Sequence, residues 1–436
     1  MLGAAWVLAA QHAMAELDSR ANIEKAVALI DTGDHQLARS YLAPALIDFR
    51  LSAQERSRAY YLRGYSFFAQ QLYVSAGKDY YRALQFKPDN PAAQAALGNL
   101  HFRGLGVARE PELALQLLSQ AAHRGHIGAR FQVAIAELNG VGTPQDLDSA
   151  RRWLLSLADQ GHSEALVHLG RSYRAELTDQ PDPEAAQRWY QRAWTAGDAE
   201  GLLGLAFMHK RGEFGEADPT RALELLQQAA SAGSGPAQVS LGHMHLTGDL
   251  VAQDPAAAVA LFRQAAELHT PASYLWLGHV YHAGVGVEAN AAAARDWYRQ
   301  AASAGLGEAQ TRLTYLLLQS DDLSDQREAL RLLAEASQGE NPRAQNDYAW
   351  VLATHQHASL RDGQLALGLA QKAVAQNASP SYLDTLAAAH AELGDFDSAV
   401  ATQQTALELA QDGQKELLEE LQAHLAAYRD RRPWRE

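Results

Sequence analysis

The chain has 436 residues, 47% of them hydrophobic, and a formal net charge of −14. A single hydrophobic core stops growing at roughly 250–300 residues, so a chain of this length forms either several domains or an array of repeats. The negative charge argues against general nucleic-acid binding, which needs a basic surface. The sequence contains no cysteine, which excludes disulfides, thiolate metal sites, thiol nucleophiles and a lipid-anchored cysteine within it.

The first fifteen residues are apolar and end in Ala13-Met14-Ala15. This ending is typical of the cleavage site of a secretory signal, although the basic segment that usually precedes the apolar region is missing. The run is shorter than the about 20 residues that cross a bilayer. We therefore expect residues 1–15 to be a signal peptide and the protein to be periplasmic or secreted. The alternative is a cytoplasmic protein that retains Met1.

Residues 16–90 are predicted to form two helical hairpins. The first covers residues 22–52 and turns at Gly33-Asp34. The second, from Arg56 to Pro88, carries small, aromatic and proline side chains in a regular order at Gly64, Phe67, Ala76, Tyr80, Ala83 and Pro88. This order and the spacing of about 34 residues resemble the tetratricopeptide repeat.

Between residues 91 and 340 the sequence repeats with a step of 36 residues. A marker glycine, replaced by His269 in one register, recurs at Gly125, Gly161, Gly197, Gly233 and Gly305. A leucine or valine column holds Leu97, Val133, Leu169, Leu205, Leu241, Leu277 and Leu313. An alanine column holds Ala114, Ala150, Ala186, Ala222, Ala258 and Ala294. A fixed period of 20–50 residues indicates a repeat array.

Each unit is predicted to be a hairpin of two helices. In the unit at 271–306, the first helix covers residues 272–282, a loop with Gly284 and Gly286 follows, and the second helix covers residues 291–304. Gly278 in the first helix lacks a side chain, so a neighbouring helix can approach closely. A capping residue, followed in four units by proline, precedes the second helix at Glu110, Asp146, Asp182, Asp218, Asp254 and Asn290.

The same unit carries the pattern A-x3-LG-x2-Y-x2-G-x-GV and then WY-x2-A-x3-G, with serine in place of the first alanine. The matching residues are Ser273, Leu277, Gly278, Tyr281, Gly284, Gly286, Val287, Trp297, Tyr298, Ala301 and Gly305. The pattern recurs about seven times and resembles the Sel1-like repeat of the tetratricopeptide superfamily. The resemblance implies an all-α fold, a right-handed α-solenoid of stacked helical hairpins that contacts other proteins. It implies no reaction.

The rest of the chain is predicted to close the array. Residues 341–413 form two further tetratricopeptide-like units, and residues 414–436 form a capping helix and a tail. The helix at Lys415–Arg429 shields the last apolar surface, as repeat arrays require. We expect the tail Arg431–Trp434 to be loose and the charged segment Lys415–Glu420 to be an ordinary solvated surface.

The sequence offers little evidence for chemistry. The G-x-G loops at Gly104 and Gly284 follow no strand and recur with the repeat, so they are predicted to be helix–helix turns rather than phosphate-binding loops. His243 and His245 lie two residues apart on a helix and face different directions. His279 and His282 share a face but have no evident third ligand. We expect no metal, no cofactor and no enzyme activity.

The resemblance also implies a partner-binding surface. In the tetratricopeptide family the first helix of each hairpin lines a concave groove, and the residues beside its packing columns contact the ligand. By position these form one row of Asn99, Ile135, Arg171, Phe207, His243, His279 and Tyr315 and a second row of Phe102, Leu138, Arg174, Lys210, Leu246 and His282. Aromatic and arginine side chains dominate binding energy at interfaces. The candidate binding residues are Arg171, Arg174, Phe207, Lys210, His243, His279, His282 and Tyr315.

These observations predict a non-catalytic scaffold that holds a protein or peptide partner in its groove, in a bacterial cell envelope. Three alternatives stay open: an accessory protein of exopolysaccharide secretion, a cell-wall glycan-binding protein, and a cytoplasmic regulatory scaffold. No nucleic-acid partner and no membrane span are expected.

Overall fold

The structure, a computed structural model, describes residues 19–339, 341–410 and 415–436. These residues form α-helices joined by short turns, with one short 3-10 helix and no strand among them. The all-α fold predicted from the sequence is confirmed. The predicted signal peptide, residues 1–15, lies outside the described residues.

The helices follow one another as hairpins in two compact units, one ending at Ala237 and one beginning at Gln238. Unit 1 contains α1 (19–31), α2 (His35–Leu46), α3 (Ala53–Ala69), α4 (Tyr73–Phe86), α5 (Pro91–Arg103), α6 (Pro111–His123), α7 (Ile127–Asn139), α8 (Leu147–Ala158), α9 (Ser163–Ser172), α10 (Pro183–Thr195), α11 (Glu200–Arg211) and α12 (Pro219–Ser231). Helix α13 (Gly235–Thr247) includes the boundary.

Unit 2 continues the same succession of helices. It contains α14 (Pro255–Glu267), α15 (Pro271–Ala283), α16 (Ala291–Ser303), α17 (Gly307–Leu318), α18 (Leu323–Ala336), α19 (Pro342–Thr354), the 3-10 helix Ala358–Leu360, α20 (Gly363–Gln376), α21 (Pro380–Glu392), α22 (Phe396–Leu409) and α23 (Lys415–Arg429).

The predicted capping side chains precede the second helix of each hairpin and hydrogen-bond to its first turn, with one exception. The carboxylate of Asp254 accepts a hydrogen bond from the backbone N–H of Ala257 at 3.0 Å, and four other predicted capping residues make the equivalent bond, namely Asp146, Asp182, Asp218 and Asn290. These bonds satisfy N–H groups that a helix start leaves without a partner. Glu110 makes no such bond, so the prediction is wrong at this position.

The marker column ends the second helices in the left-handed conformation. Its five glycines have φ between 85° and 91°, and His269, which replaces glycine in this column, is also left-handed with φ 56°. Glycine adopts this conformation without steric cost, whereas a residue with a Cβ is strained there. This column therefore supplies the residue that ends the second helix of these hairpins.

The predicted packing columns form the core of each unit. All residues of the leucine or valine column are at most 6% exposed, and those of the alanine column are at most 3% exposed. Burial on this scale supplies the main favourable free energy of folding.

Glycines on the first helices allow the hairpins to stack closely. A Cβ added to Gly170 would lie 2.8 Å from the ring of Tyr190, and one added to Gly204 would lie 2.4 Å from the same ring. Tyr190 therefore fits between the first helix of its own hairpin and the first helix of the next. Each hairpin thus completes the apolar contacts of its neighbour, as expected for a solenoid.

The tail is packed and not loose, so that expectation is wrong. The backbone N–H of Glu436 donates to the carbonyl of Thr354 at 3.0 Å, and the N–H of Gln356 donates to the carbonyl of Glu436 at 3.0 Å. The ring of Trp434 lies 4.4 Å from the ring of His424, centroid to centroid. These partners are distant in sequence or lie on another helix, so local composition gives no sign of them.

Candidate partner-binding surfaces

The first predicted row lies on the surface of the first helices in both units. In unit 1, Asn99, Ile135, Arg171 and Phe207 are each partly exposed, and in unit 2 Tyr315 is 58% exposed. Also in unit 2, His243 of this row is exposed and His279 is half-buried. The structure therefore leaves this row accessible to a partner, and its role in binding stays a prediction.

The structure differs from the prediction at two residues of the second row. Leu138 is fully buried, and Arg174 is only 5% exposed. Arg174 donates from Nε and from Nη2 to the carboxylate of Glu213, the Nη2 bond being 2.5 Å long. Arg174 is therefore wrong as a groove residue: it forms a buried ion pair between neighbouring hairpins.

The inward position of Arg174 follows from a missing glycine. In the neighbouring hairpins the first helix ends at a left-handed glycine, Gly140 after α7 and Gly212 after α11. Glu176 occupies the equivalent position in the hairpin of α9 and α10. A glutamate is costly in that conformation. Helix α9 ends at Ser172 instead, which places Arg174 in the turn that follows.

The carboxylates around Arg174 stabilise its positive charge. Burial by itself lowers the pKa of the Arg174 guanidinium, but hydrogen bonding to Glu213 and the nearby Glu176 carboxylate reverse this effect and raise it overall. Glu176 also pairs with Arg211. Part of the basic charge expected on this surface is thus neutralised inside the protein.

The remaining candidates of unit 1 stay near the surface. Arg171 donates to the side chain of Asn139 at 3.2 Å in an exposed contact. Phe207 and Lys210 are half-buried on α11. These three residues lie on the first helices of two consecutive hairpins, as the repeat spacing predicts.

In unit 2 the predicted histidines belong to a series of ring contacts. The ring of His243 lies 5.0 Å from that of Trp276, which in turn lies 5.4 Å from His279, and His279 lies 5.6 Å from Tyr298. Burial lowers the pKa of His279, which disfavours its charged form. His282 is exposed beside it. The series therefore runs from the exposed ring of His243 to the buried ring of Tyr298.

A large pocket lies in the C-terminal part of unit 2. Its volume is about 1080 Å³, and it is lined by residues of α17, α18, α19, α21, α23 and the tail. Its aromatic side chains are Tyr315, Trp350 and Trp434. Of the eight candidate binding residues, Tyr315 is the one that lines it.

The pocket is acidic as well as aromatic. Its carboxylates are Asp347, Asp384, Glu419, Glu420 and Glu436, and its basic side chains are Arg343 and His424. Asp384 accepts a hydrogen bond from Nδ1 of His424 at 2.8 Å and another from Gln403 at 2.6 Å. Glu419 and Glu420, which we expected to be ordinary solvated surface, therefore line a concavity.

No metal-binding cluster of side chains is found in the part of the chain that the structure describes. There, no group of three or more histidine, aspartate or glutamate side chains could hold a metal ion. The G-x-G loops are turns between helices: a Cβ on Gly286 would lie 2.3 Å from the carbonyl oxygen of Pro255 at the start of α14. Among the described helices, none has both the length and the apolar character needed to cross a bilayer.

The fold and these surfaces define a helical-repeat protein of the solenoid class. Eight stretches match the family model of the Sel1 repeat, at residues 91–126, 128–162, 163–198, 199–234, 235–269, 271–306, 307–341 and 342–377. They cover more than half of the chain, so the chain belongs to the Sel1 repeat family. Repeat proteins of this kind generally mediate protein–protein interaction and are generally non-catalytic.

The family match extends beyond the predicted Sel1-like region. Its first seven stretches correspond to the units expected between residues 91 and 340, with small differences at the boundaries. The eighth, 342–377, is a segment that we predicted to be tetratricopeptide-like. The long connection between the helices of that segment, His355–Gly363, hid the resemblance.

The chain is also similar to solved structures of other proteins. The crystal structure of c5321, a protective antigen of uropathogenic Escherichia coli displaying an SLR fold, is 23% identical, with a TM-score of 0.43, and the match covers 96% of this chain and 93% of that chain. A Sel1 repeat protein from Oxalobacter formigenes is 26% identical, with a TM-score of 0.38, over 56% of this chain and 96% of that chain. Yeast Tom70 is 15% identical, with a TM-score of 0.32, over 95% and 96% of the two chains. A comparison with curated proteins gave no match.

Proposed function

We propose that the protein is a non-catalytic scaffold that binds a protein or peptide partner along the first helices of its hairpins. The observation that carries this proposal is the accessible row of aromatic, arginine and imidazole side chains on those helices, including Arg171, Phe207, His243 and Tyr315. Such side chains dominate interface energy. Because the hairpins are held by stacked cores, the surface needs little ordering on binding.

We further propose that the protein acts in a bacterial cell envelope. The apolar segment that ends in Ala13-Met14-Ala15 supports this location, because it is typical of an exported chain. The mass of the protein isolated from its native cell tests it. A mature chain that starts after Ala15 supports export, and a mature chain that retains Met1 supports a cytoplasmic scaffold instead.

Affinity capture from the native cell with the full chain, followed by mass spectrometry, tests the binding function. We expect the double variant Arg171→Glu, Lys210→Glu to stay folded and to lose at least about tenfold in capture of the partner. The matched control is Arg152→Glu, Arg188→Glu, which makes the same charge change at exposed positions on the second helices α8 and α10. Equal capture by both variants would contradict the assignment of the first helices.

A further inference from the structure

The pocket of unit 2 has aromatic walls. Tyr315 on α17, Trp350 on α19 and Trp434 in the tail line it. The faces of aromatic rings carry negative potential and attract cations within about 6 Å. Tyr315 is 58% exposed although it is a large aromatic side chain, so its face is available to a ligand.

The same pocket contains negative charge that its own cations do not neutralise. The shortest distance between Asp347 and the Arg343 guanidinium is 3.9 Å, which is a weak pair, and Glu420 has no ion-pair partner among the described residues. The Asp347 side chain is 51% exposed, so a ligand can reach it, and partial desolvation by the pocket wall raises its pKa. A cation brought by a ligand would offset this effect.

A buried acceptor in the pocket also lacks a donor. Asn346 is 9% exposed and lines the pocket, and its Oδ1 has no hydrogen-bond partner among the described residues. A buried polar atom without a partner costs free energy. An arginine side chain offers five N–H donors, which can serve this amide oxygen and the carboxylates of the lining.

The arrangement is fixed before a ligand arrives. The ring of Trp434 packs at a tilt against the ring of His424, which is held by Asp384, and Nε1 of Trp350 donates to the Glu436 carboxylate at 2.8 Å. These contacts join α19, α21, α23 and the tail. Residues held in this way lose little conformational freedom on binding.

The size of the pocket indicates an extended segment and not a single small group. Its volume of about 1080 Å³ slightly exceeds the roughly 300–1,000 Å³ that is usual for small-molecule sites. Aliphatic residues such as Leu318 and Leu333 line it between the polar groups. The lining therefore suits a chain in which cationic and apolar side chains alternate.

We propose that this pocket binds an extended peptide segment of the partner protein through arginine side chains, which stack on the aromatic walls and pair with Asp347 and Glu420. This inference rests on the proposed binding function and assigns to it a site and a partner chemistry. Arginine fits better than lysine because its planar guanidinium both stacks on aromatic rings and binds carboxylates with two donors.

The test uses the full chain and two fluorescein-labelled peptides, Gly-Arg-Leu-Arg-Leu-Arg-Gly and Gly-Glu-Leu-Glu-Leu-Glu-Gly, with fluorescence anisotropy as the readout. We expect the arginine peptide to bind, the glutamate peptide not to bind, and added salt to weaken the complex. In the variant Asp347→Asn, Glu420→Gln the arginine peptide is expected to bind about tenfold more weakly. Tyr315→Ser is expected to weaken it as well, because it removes one aromatic face.

The chain is acidic overall, so a control must distinguish attraction of the peptide to the pocket from attraction to the negative charge of the whole protein. The variant Glu267→Gln, Glu288→Gln makes the same charge change at two exposed positions of unit 2 outside the pocket, and it should bind the arginine peptide as the unchanged protein does. Equal weakening in both variants, or no binding of the arginine peptide at millimolar concentration, would overturn the pocket assignment. If the native partner is still captured in that case, the binding function stands and only this inference fails.

Discussion

His269 has a left-handed backbone conformation at a position where five other hairpins have glycine. Its φ of 56° lies in the left-handed region, and its side chain makes one exposed contact, Nδ1 to the hydroxyl of Tyr274 at 3.2 Å. We expect His269→Gly to stabilise unit 2 by about 0.5–1 kcal/mol, because relief of the strain exceeds the entropy cost of glycine. Urea unfolding followed by circular dichroism measures the change. The reverse exchange, Gly305→His, should destabilise the unit, and a neutral result for both would show that the column carries no strain.

Arg174 illustrates how a single residue can leave the surface that its repeat register predicts. It is buried against Glu213, so removal of the guanidinium leaves a carboxylate without its partner. We expect Arg174→Met to destabilise unit 1 by about 3 kcal/mol. Arg171→Met, three positions away and partly exposed, should change stability by less than about 0.5 kcal/mol. The double variant Arg174→Met, Glu213→Leu should recover part of the loss, and equally small effects for all three variants would contradict a buried pair.

His168 gives stability a predictable pH dependence. Burial lowers its pKa to about 4, with a smaller contribution from Arg171, whereas in the unfolded chain it is about 6.5. Between these values the unfolded chain binds the extra proton, so stability falls as the pH falls from about 6.5 to about 4, by at most about 3 kcal/mol. His168→Leu should flatten this part of the dependence, because Nδ1 of His168 makes no hydrogen bond that would be lost. Unfolding midpoints measured at several pH values compare the two proteins, and parallel curves would contradict the assignment.

At the scale of helices, the close approach of hairpins depends on first-helix glycines. A Cβ on Gly278 would lie 2.4 Å from the ring of Tyr298 on α16. We expect Gly278→Leu to push α15 and α16 apart and to lower stability by about 3 kcal/mol or more, as overpacked cores do. Thermal unfolding of the full chain measures the effect.

Gly368 provides the matched control within a helix. It lies on the exposed side of α20, and a Cβ there would meet nothing within 4 Å. Gly368→Ala should therefore raise stability by about 0.5–1 kcal/mol through helix propensity alone. We therefore expect Gly278→Leu to lower the free energy of unfolding and Gly368→Ala to raise it. If Gly278→Leu were tolerated as well as Gly368→Ala, the column would have no packing role.

Helix positions were predictable because the determinants of each helix are local and repeat. The capping aspartates and the left-handed glycines recur in sequence and are found where expected, for example at Asp254 and Gly305. The exceptions occur where one determinant is missing. Glu176 replaces a helix-ending glycine, and the turn that results moves Arg174 inward.

At the scale of the whole molecule, the family and fold were predictable, but the pocket was not. The packing columns repeat in one register, so their burial follows from the spacing, as Leu277 and Ala294 show. The pocket instead combines α17 with α23 and the tail, which no repeat relates to one another. Trp434 is part of it only because the tail packs on His424, a contact that depends on tertiary structure.

The most direct test of the account is site-specific photo-crosslinking to the captured partner in the native cell. A photoreactive amino acid is placed in turn at Phe207 and Tyr315 on first helices, and at Leu155 and Trp194, which are exposed on second helices. The account predicts partner adducts from the first-helix positions and none from the second-helix positions. Adducts that form only from Leu155 or Trp194 would contradict it.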